Sequence, residues 1–411
     1  MSAAKPDLKD TEHDLHARIC LAFTGGGTGG HIYPGLAVIE ALRRAGFQGR
    51  IVWLGSEKEL DRRIVTEAGI EYFAIPSGKF RRSLDLRNLS DLTRIAAGYF
   101  ASRSILRQIA PALLFSKGGY VSVPPCCAAA SLGIPVFTHE SDTTPGLATR
   151  LNARVAEKIL TSWEGTATFL PEGYRHKVIR TGNPVRRSLF EGDANRGRTL
   201  LGIPDAIPVV LVLGGSQGAQ EVNRLVLDAL PLLEGRCFVV HQTGTEHYQE
   251  VVATARSRGV SDQWYRAMPY IGSELPDIMA AASVLAGRAG AGSVWEAASL
   301  LKPMVLVPLS GIGTRGDQVE NAAAAQAAGA ARSLTGPDVH PQAFAAAVLH
   351  YLKDAQAYDA ARNACRHLTV VEQAGSGHAA DFIANLILAR IGWKDKSLRP
   401  SGMKEQSHER A

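Results

Sequence analysis

Three glycine-rich turns hold most of the residues in this chain whose types and spacing could do chemistry. The first is Gly25-Gly26-Gly27-Thr28-Gly29-Gly30 and ends at His31. The second is Gly214-Gly215-Ser216-Gln217-Gly218-Ala219. The third runs from Gly287 through Arg288, Ala289, Gly290, Ala291 and Gly292 to Ser293. Glycine lets backbone N–H groups approach a ligand with no side chain in the way. A turn that opens a helix also presents free N–H donors and the positive end of the helix dipole, which suits a phosphate. Ser293 stands where an N-cap belongs and Glu296 follows three residues later, the capping-box spacing. Glu296 therefore reads locally as a cap. Chemically, its carboxylate could also accept two hydrogen bonds from the vicinal hydroxyls of a sugar. A lone histidine is more often structural than catalytic. At the mouth of a glycine turn, however, an imidazole near pKa ~6.5 could accept a proton at neutral pH. Glu140, in His139-Glu140-Ser141-Asp142, is a second candidate base.

The turns need strands and helices to hold them. Residues 18–24, 113–116, 134–139 and 158–161 read as strands of a first half, with helices at 34–45 and 124–132. A second half repeats the plan, with strands at 208–213, 237–242, 264–270, 284–286 and 303–308. Its helices are expected at 221–233 and from 271–277 onward, and Gln318 and Asn321 share one helical face. Arg180-Thr181-Gly182-Asn183-Pro184-Val185-Arg186 reads as the break between halves. The pattern predicts an α/β protein of two Rossmann-like doubly wound domains facing a cleft, with ligands at the carboxyl ends of the strands. Gly25, Gly27 and Gly30 also fit a dinucleotide fingerprint, but Glu57 comes too late for its acidic partner.

A length of 411 residues suits two such domains. Apolar content of 45% and charged content of 20% describe a globular chain, and a polar, mixed-charge start is not a signal peptide. Five scattered cysteines argue against a disulfide framework or a zinc site and fit a reducing cytoplasm. A net charge of +6 favours anionic partners, and no nucleic-acid motif accompanies it. Residues 79–109 mix Leu84, Leu86, Leu89, Leu92, Ile95, Tyr99, Phe100 and Ile105 with Lys79 and six arginines. They read either as an amphipathic helix pair with a solvated basic face or as a patch lying on an anionic membrane.

Taken together and in order, Gly26 to His31, Gly182 to Arg186, Gly214 to Ala219 and the stretch from Arg288 to Asn321 closely resemble the UDP-N-acetylglucosamine:lipid I N-acetylglucosaminyltransferase family. The resemblance runs from about residue 18 to about residue 391. It implies a GT-B fold and an inverting transfer that makes lipid II for peptidoglycan synthesis. It implies an acceptor domain at 18–184, a UDP-sugar domain at 185–370 and a helix within 371–393 returning to the first, with 1–17 and 394–411 as tails. It also implies peripheral attachment to the cytoplasmic side of the cell membrane, which favours the membrane reading of 79–109.

Carried over by matching position, Thr28, Gly29 and Gly30 reach the donor, and Arg186 and Ser216 lie at its diphosphate. The backbone of Ile271 meets uracil. Ala291, Gly292 and Ser293 form the nucleotide-binding turn, Glu296 takes the ribose hydroxyls and Gln318 meets the N-acetylglucosamine. His31 is the expected base and Glu140 the runner-up. With no Asp-x-Asp motif, the expected holders of the leaving diphosphate are helix N-termini and Arg186, with no metal and no cofactor. Many members read His-Glu-Gln-Asn where this chain has His139-Glu140-Ser141-Asp142. Asp142 keeps an acceptor oxygen of that donor-contacting asparagine and loses its amide donor. Gly316-Asp317-Gln318 likewise departs from the usual Asp-His-Gln. A related GT-B enzyme acting on another lipid, a UDP-sugar epimerase and a non-catalytic dinucleotide-binding protein are the alternatives.

Overall fold

Short apolar runs with no polar face must be covered on both sides, which makes them strands of parallel sheets sandwiched by helices. The computed structural model describes residues 19–78, 87–204, 206–214, 219–311, 314–369 and 378–393. Its first sheet comprises β1 (Cys20–Thr24), β2 (Arg50–Gly55), β3 (Glu71–Ala74), β4 (Leu113–Ser116), β5 (Val136–Glu140), β6 (Lys158–Thr161) and β7 (Val178–Arg180). All pairings are parallel, in the order β3-β2-β1-β4-β5-β6-β7. The second comprises β8 (Val209–Leu213), β9 (Phe238–Gln242), β10 (Tyr265–Met268), β11 (Val284–Gly287), β12 (Met304–Leu306) and β13 (Ala331–Ser333). It is also parallel, in the order β10-β9-β8-β11-β12-β13. Strand order reverses between β1 and β4 and again between β8 and β11. At such switch points the connections leave in opposite directions and open a crevice beyond the carboxyl ends. The first and third glycine turns leave β1 and β11, so the topology delivers both to those crevices.

Each sheet has an apolar cluster on each face. In the first, α1 (Tyr33–Arg44) buries Leu36, Ala37, Val38 and Leu42. Its Pro34 sits in the first turn, where a missing N–H costs nothing. Of the 79–109 segment, the described part is one long helix, α2 (Arg87–Ile109). Ser102 and Leu106 face inward, while Leu92 is 55% and Phe100 69% exposed. No helix among the described residues is long and apolar enough to cross a membrane. Two further helices frame the second half of the cleft, α3 (Ala291–Ser299) and α4 (Asp317–Ala327).

Late in the chain, α5 (Ala379–Arg390) lies against α1, with Ala380, Ile383, Ala384, Ile387 and Leu388 in the core of the first sheet. Ion pairs from Arg44 to Asp381 at 2.6 Å and from Arg390 to Glu157 at 2.7 Å fasten its two ends. Ile383 is fully buried. Ile383→Ala should therefore lower the unfolding free energy by about 2–5 kcal/mol, since the cavity adds to the lost transfer energy. Urea denaturation checks this, with the first half losing its structure first.

Candidate functional site

The first glycine turn is pinned from the β2 side. Gly27 N–H and Ser56 Oγ each donate to Asp61 Oδ2 at 2.6 Å. Trp53 Nε1 donates to the Gly25 carbonyl at 3.0 Å. A Cβ at Gly26, whose φ is +153°, would come within 2.6 Å of Asp61 Oδ2, so this approach requires glycine. Thr28 and Gly30 are exposed at the lip, and Gly29 and His31 half-buried. The His31 ring packs on Gly119, where an added Cβ would lie 2.9 Å from Cδ2. Burial pushes its pKa down to about 4, helped by Lys117 and Arg315 and opposed by Asp142 and the Lys117 carbonyl. This corrects the ordinary value assumed from sequence. His31 is neutral at pH 7, and its Nδ1 has no partner among the described residues.

Glu140 does not present a free carboxylate. Its Oε1 accepts from Asp142 N–H at 3.0 Å, and its Oε2 from Gly146 N–H at 3.0 Å and Thr149 Oγ1 at 2.6 Å. The geometry is that of a staple across the loop after β5, which argues against the runner-up base. Asp142 is equally engaged, but across the cleft. Its Oδ2 accepts from Arg315 Nη2 at 2.6 Å and its Oδ1 from Asn321 Nδ2 at 3.0 Å. Burial and the neighbouring Glu140 push the Asp142 carboxyl up, while Asn321 and Arg315 hold it down. The Asn321 Oδ1 also accepts from Thr143 N–H at 2.9 Å and Thr143 Oγ1 at 3.1 Å. The first half thus closes on the second through α4.

Where a capping box was expected, the third turn differs. The N-cap of α3 is Gly290, the helix begins at Ala291, and Ser293 is its third residue. No described side chain caps it. The box fails because the chain turns three residues early, leaving first-turn N–H groups without internal partners. A Cβ at Gly290 or Gly292 would meet nothing within 4 Å, so that end of the helix is open. Freed from capping, Glu296 accepts from Arg186 Nη2 at 3.4 Å. Burial pushes its carboxyl up and Arg186 pulls it down. The Arg186 guanidinium also lies over the Tyr33 ring, 4.7 Å from its centroid.

Of the remaining sequence candidates, Ile271 is buried and its N–H donates to Gln242 Oε1 at 3.0 Å. Gln318 Oε1 accepts from Leu309 N–H at 2.9 Å. Ser216, with the rest of its turn at 215–218, lies outside the described residues, as do Lys79 to Leu86. Sequence reasoning missed Lys117, which precedes a glycine at the end of β4, and Arg315, which precedes Gly316 at the start of α4. It also missed the contact between Trp163 and Trp295, whose rings sit 5.2 Å apart across the halves.

A model of the glycosyltransferase family 28 N-terminal domain matches residues 21–161, and one of the family 28 C-terminal domain matches residues 209–375. Fold and matched domains define a glycosyltransferase of the GT-B architecture. A Treponema denticola protein, named UDP-N-acetylglucosamine--N-acetylmuramyl-(pentapeptide) pyrophosphoryl-undecaprenol N-acetylglucosamine transferase, is 45% identical over 337 residues, covering 79% of this chain and 86% of its own length. One of the same name from Treponema pallidum (strain Nichols) is 47% identical over 320 residues, 78% of this chain and 83% of its own. The crystal structure of Acinetobacter baumannii MurG shares the fold, with a TM-score of 0.69 at 24% identity over 90% of this chain and 99% of that one. The chain belongs to the family of N-acetylglucosamine transferases that the two Treponema proteins represent.

His31, held near 4, His241, near 3, and His139, well below 6.5, are all kept neutral by burial. Their folded pKa values lie below the unfolded ~6.5, so their contribution to stability is complete above that pH. It is lost as pH falls from 6.5 toward 3, where only the unfolded chain takes up protons. The urea midpoint should therefore drop steeply between pH 6.5 and 4. His241→Gln, which cannot charge, should flatten that slope whatever its effect at pH 7.

Proposed function

We propose that this chain moves N-acetylglucosamine from UDP-N-acetylglucosamine to the C4 hydroxyl of the muramic sugar of lipid I, inverting the anomeric carbon and giving lipid II for peptidoglycan synthesis. The relatives' names supply the substrates. One arrangement carries the chemistry: a neutral histidine lies on the turn after β1, an open, uncapped helix end follows β11, and Arg186 reaches both Glu296 of that helix and the Tyr33 ring that follows the first turn. We take 18–184 as the acceptor unit and 185–370 as the donor unit. The presence of Val185 and Leu189 in the core of the second sheet supports that division, and α5 then belongs to the acceptor unit.

In this reading the uridine lies along Ile271, its ribose hydroxyls donate to Glu296, and Gln318 with Thr28, Gly29 and Gly30 meets the donor sugar. The diphosphate rests on the N–H groups of Ala291, Gly292 and Ser293, on Arg186 and on the turn bearing Ser216. At 3.4 Å the Arg186–Glu296 pair is a long one. UDP can exchange it for two better contacts, hydroxyls on the carboxylate and phosphate on the guanidinium. During transfer His31 accepts the proton of the attacking hydroxyl. Charge developing on the departing UDP is met by fixed donors that need no reorganisation. Asp142 spans the cleft, so its part is to hold the acceptor unit on α4.

The acceptor hangs from a lipid, and the exposed Leu92 and Phe100 of α2 suit peripheral contact with an anionic bilayer on the cytoplasmic side. Of the basic residues in that region, Arg94 pairs with Glu57 and Arg103 donates to Ser131, which leaves the apolar side chains a larger share of the attachment.

The direct test is transfer of labelled N-acetylglucosamine from UDP to a lipid I analogue, with no transfer as the refuting result. Glu296→Ala should weaken UDP binding by roughly 1.5–3 kcal/mol, the value of hydrogen bonds to a charged group, and calorimetry would read it. A mutant that binds UDP normally but melts earlier would leave Glu296 a structural residue. Replacing Leu92 and Phe100 with Asn should reduce binding to phosphatidylglycerol vesicles and transfer to vesicle-borne acceptor, while transfer to a short-chain soluble acceptor stays within about twofold. Unchanged vesicle binding would move the membrane contact elsewhere.

A further inference from the structure

A glycine turn that opens a helix seats an anion only while its amides are free, and the first and third turns differ in that respect. At the start of α3 no described side chain caps the helix, and the space beside Gly290 and Gly292 is open. The first turn is closed from within. Asp61 stands in the short helix Glu59–Glu67 after β2 and is 1% exposed. Its Oδ2 lies 2.6 Å from the Gly27 nitrogen, where an arriving phosphate oxygen would sit. Ser56 Oγ donates to the same oxygen at 2.6 Å, and because that hydroxyl accepts from Lys58 N–H at 3.2 Å, its proton is committed to Asp61. The Gly27 carbonyl is taken as well, by Lys58 Nζ at 3.2 Å. Beyond it, the His31 and Ile32 amides donate within the turn, to the carbonyls of Thr28 at 3.1 Å and Gly29 at 3.0 Å. A Cβ at Gly27 would also come within 2.7 Å of the Tyr120 ring, so the turn is gripped between Asp61 and Tyr120.

We propose that Asp61 is a specificity-determining residue for the transfer: an internal carboxylate that fills the phosphate place of the first turn, keeps diphosphates off it, and so reserves Thr28 to Gly30 for the uncharged sugar. This rests on the reading above, in which those residues meet N-acetylglucosamine. A ligand anion brought to the Gly27 N–H would have to displace Asp61, and it would then face a like charge at a depth where solvent screens little. An asparagine could accept the same hydrogen bonds and would carry no such charge. The effect is to sort ligand chemistry between two turns of similar composition. The turn after β11 keeps its amides for a diphosphate. The turn after β1 has spent its Gly27 amide on Asp61 and presents Thr28 and Gly30 at its exposed lip.

Deuterated full-length protein with assigned backbone amides tests this when titrated with inorganic pyrophosphate at neutral pH. In the unsubstituted protein the Gly292 amide signal should shift and the Gly27 signal should stay in place. In Asp61→Asn the Gly27 signal should shift as well, and pyrophosphate should inhibit transfer more strongly by roughly tenfold or more, since one close charge repulsion is gone. Asp61→Glu, which keeps the charge, should match the unsubstituted protein in both readouts. A Gly27 shift in the unsubstituted protein at pyrophosphate concentrations that saturate Gly292 would overturn the proposal, and that arm decides even if Asp61→Asn fails to fold. So would a Gly27 signal that stays in place in folded Asp61→Asn, or an Asp61→Glu variant that responds as Asp61→Asn does. A Gly292 signal indifferent to pyrophosphate, with Gly27 responding only in Asp61→Asn, would instead remove the diphosphate seat of the reading above and leave Asp61 in its part.

Discussion

The Asn321 side-chain amide is the contact on which the shape of the cleft depends. Each sheet has its own cores, and apolar packing reaches across the halves through Trp163 and Trp295. Asn321 is fully buried and uses all of its capacity, accepting twice from Thr143 and donating to Asp142 and to the Ala289 carbonyl. Separating the halves would strip a buried amide of most of its partners, at a cost on the order of 1–3 kcal/mol for each group left unsatisfied. The same side chain fixes Asp142, and Asp142 gives Arg315 its ion-pair partner. Through Ala289 it reaches the third glycine turn, so the anion-facing helix end and the loop after β5 are registered to each other by one residue.

Burial first explains the state of His31. Desolvation is the largest influence on the imidazole, and Lys117 and Arg315 add to it while Asp142 opposes it. Around these groups Lys117 and Arg315 contribute two cations, and Glu140, Asp142 and Asp317 three carboxylates. An aspartate at 142 thus supplies a carboxylate that works against the cations beside His31.

Strands were the most legible part of the sequence. Leu113–Ser116 and Lys158–Thr161 lie where their apolar runs predict, because a strand covered on both faces admits little else. The edge strands β3, β7 and β13 escaped notice, being only three or four residues long and half exposed in places. Glycine turns announced the site, since few other residues permit such backbone approach. What local pattern could not supply was partnership. Ser293 and Glu296 have capping-box spacing, yet Glu296 pairs with a residue 110 positions earlier. Asp142 and Arg315 are 173 positions apart. Glu140 looks like a free acid until three donors from the next nine residues close on it.

The late return of the chain has a mechanical consequence. The backbone leaves the first sheet after β7, builds the second, and comes back to lay α5 on α1. The two halves are therefore joined at two points. A single covalent joint would permit swinging and twisting in every direction. Two joints on the same pair of bodies define an axle, and relative motion reduces to rotation about the line through them. Contacts between the facing sides, such as Asn321 with Thr143 and Arg186 with Glu296, then open and close along one path. Each re-forms in register every time the halves come together.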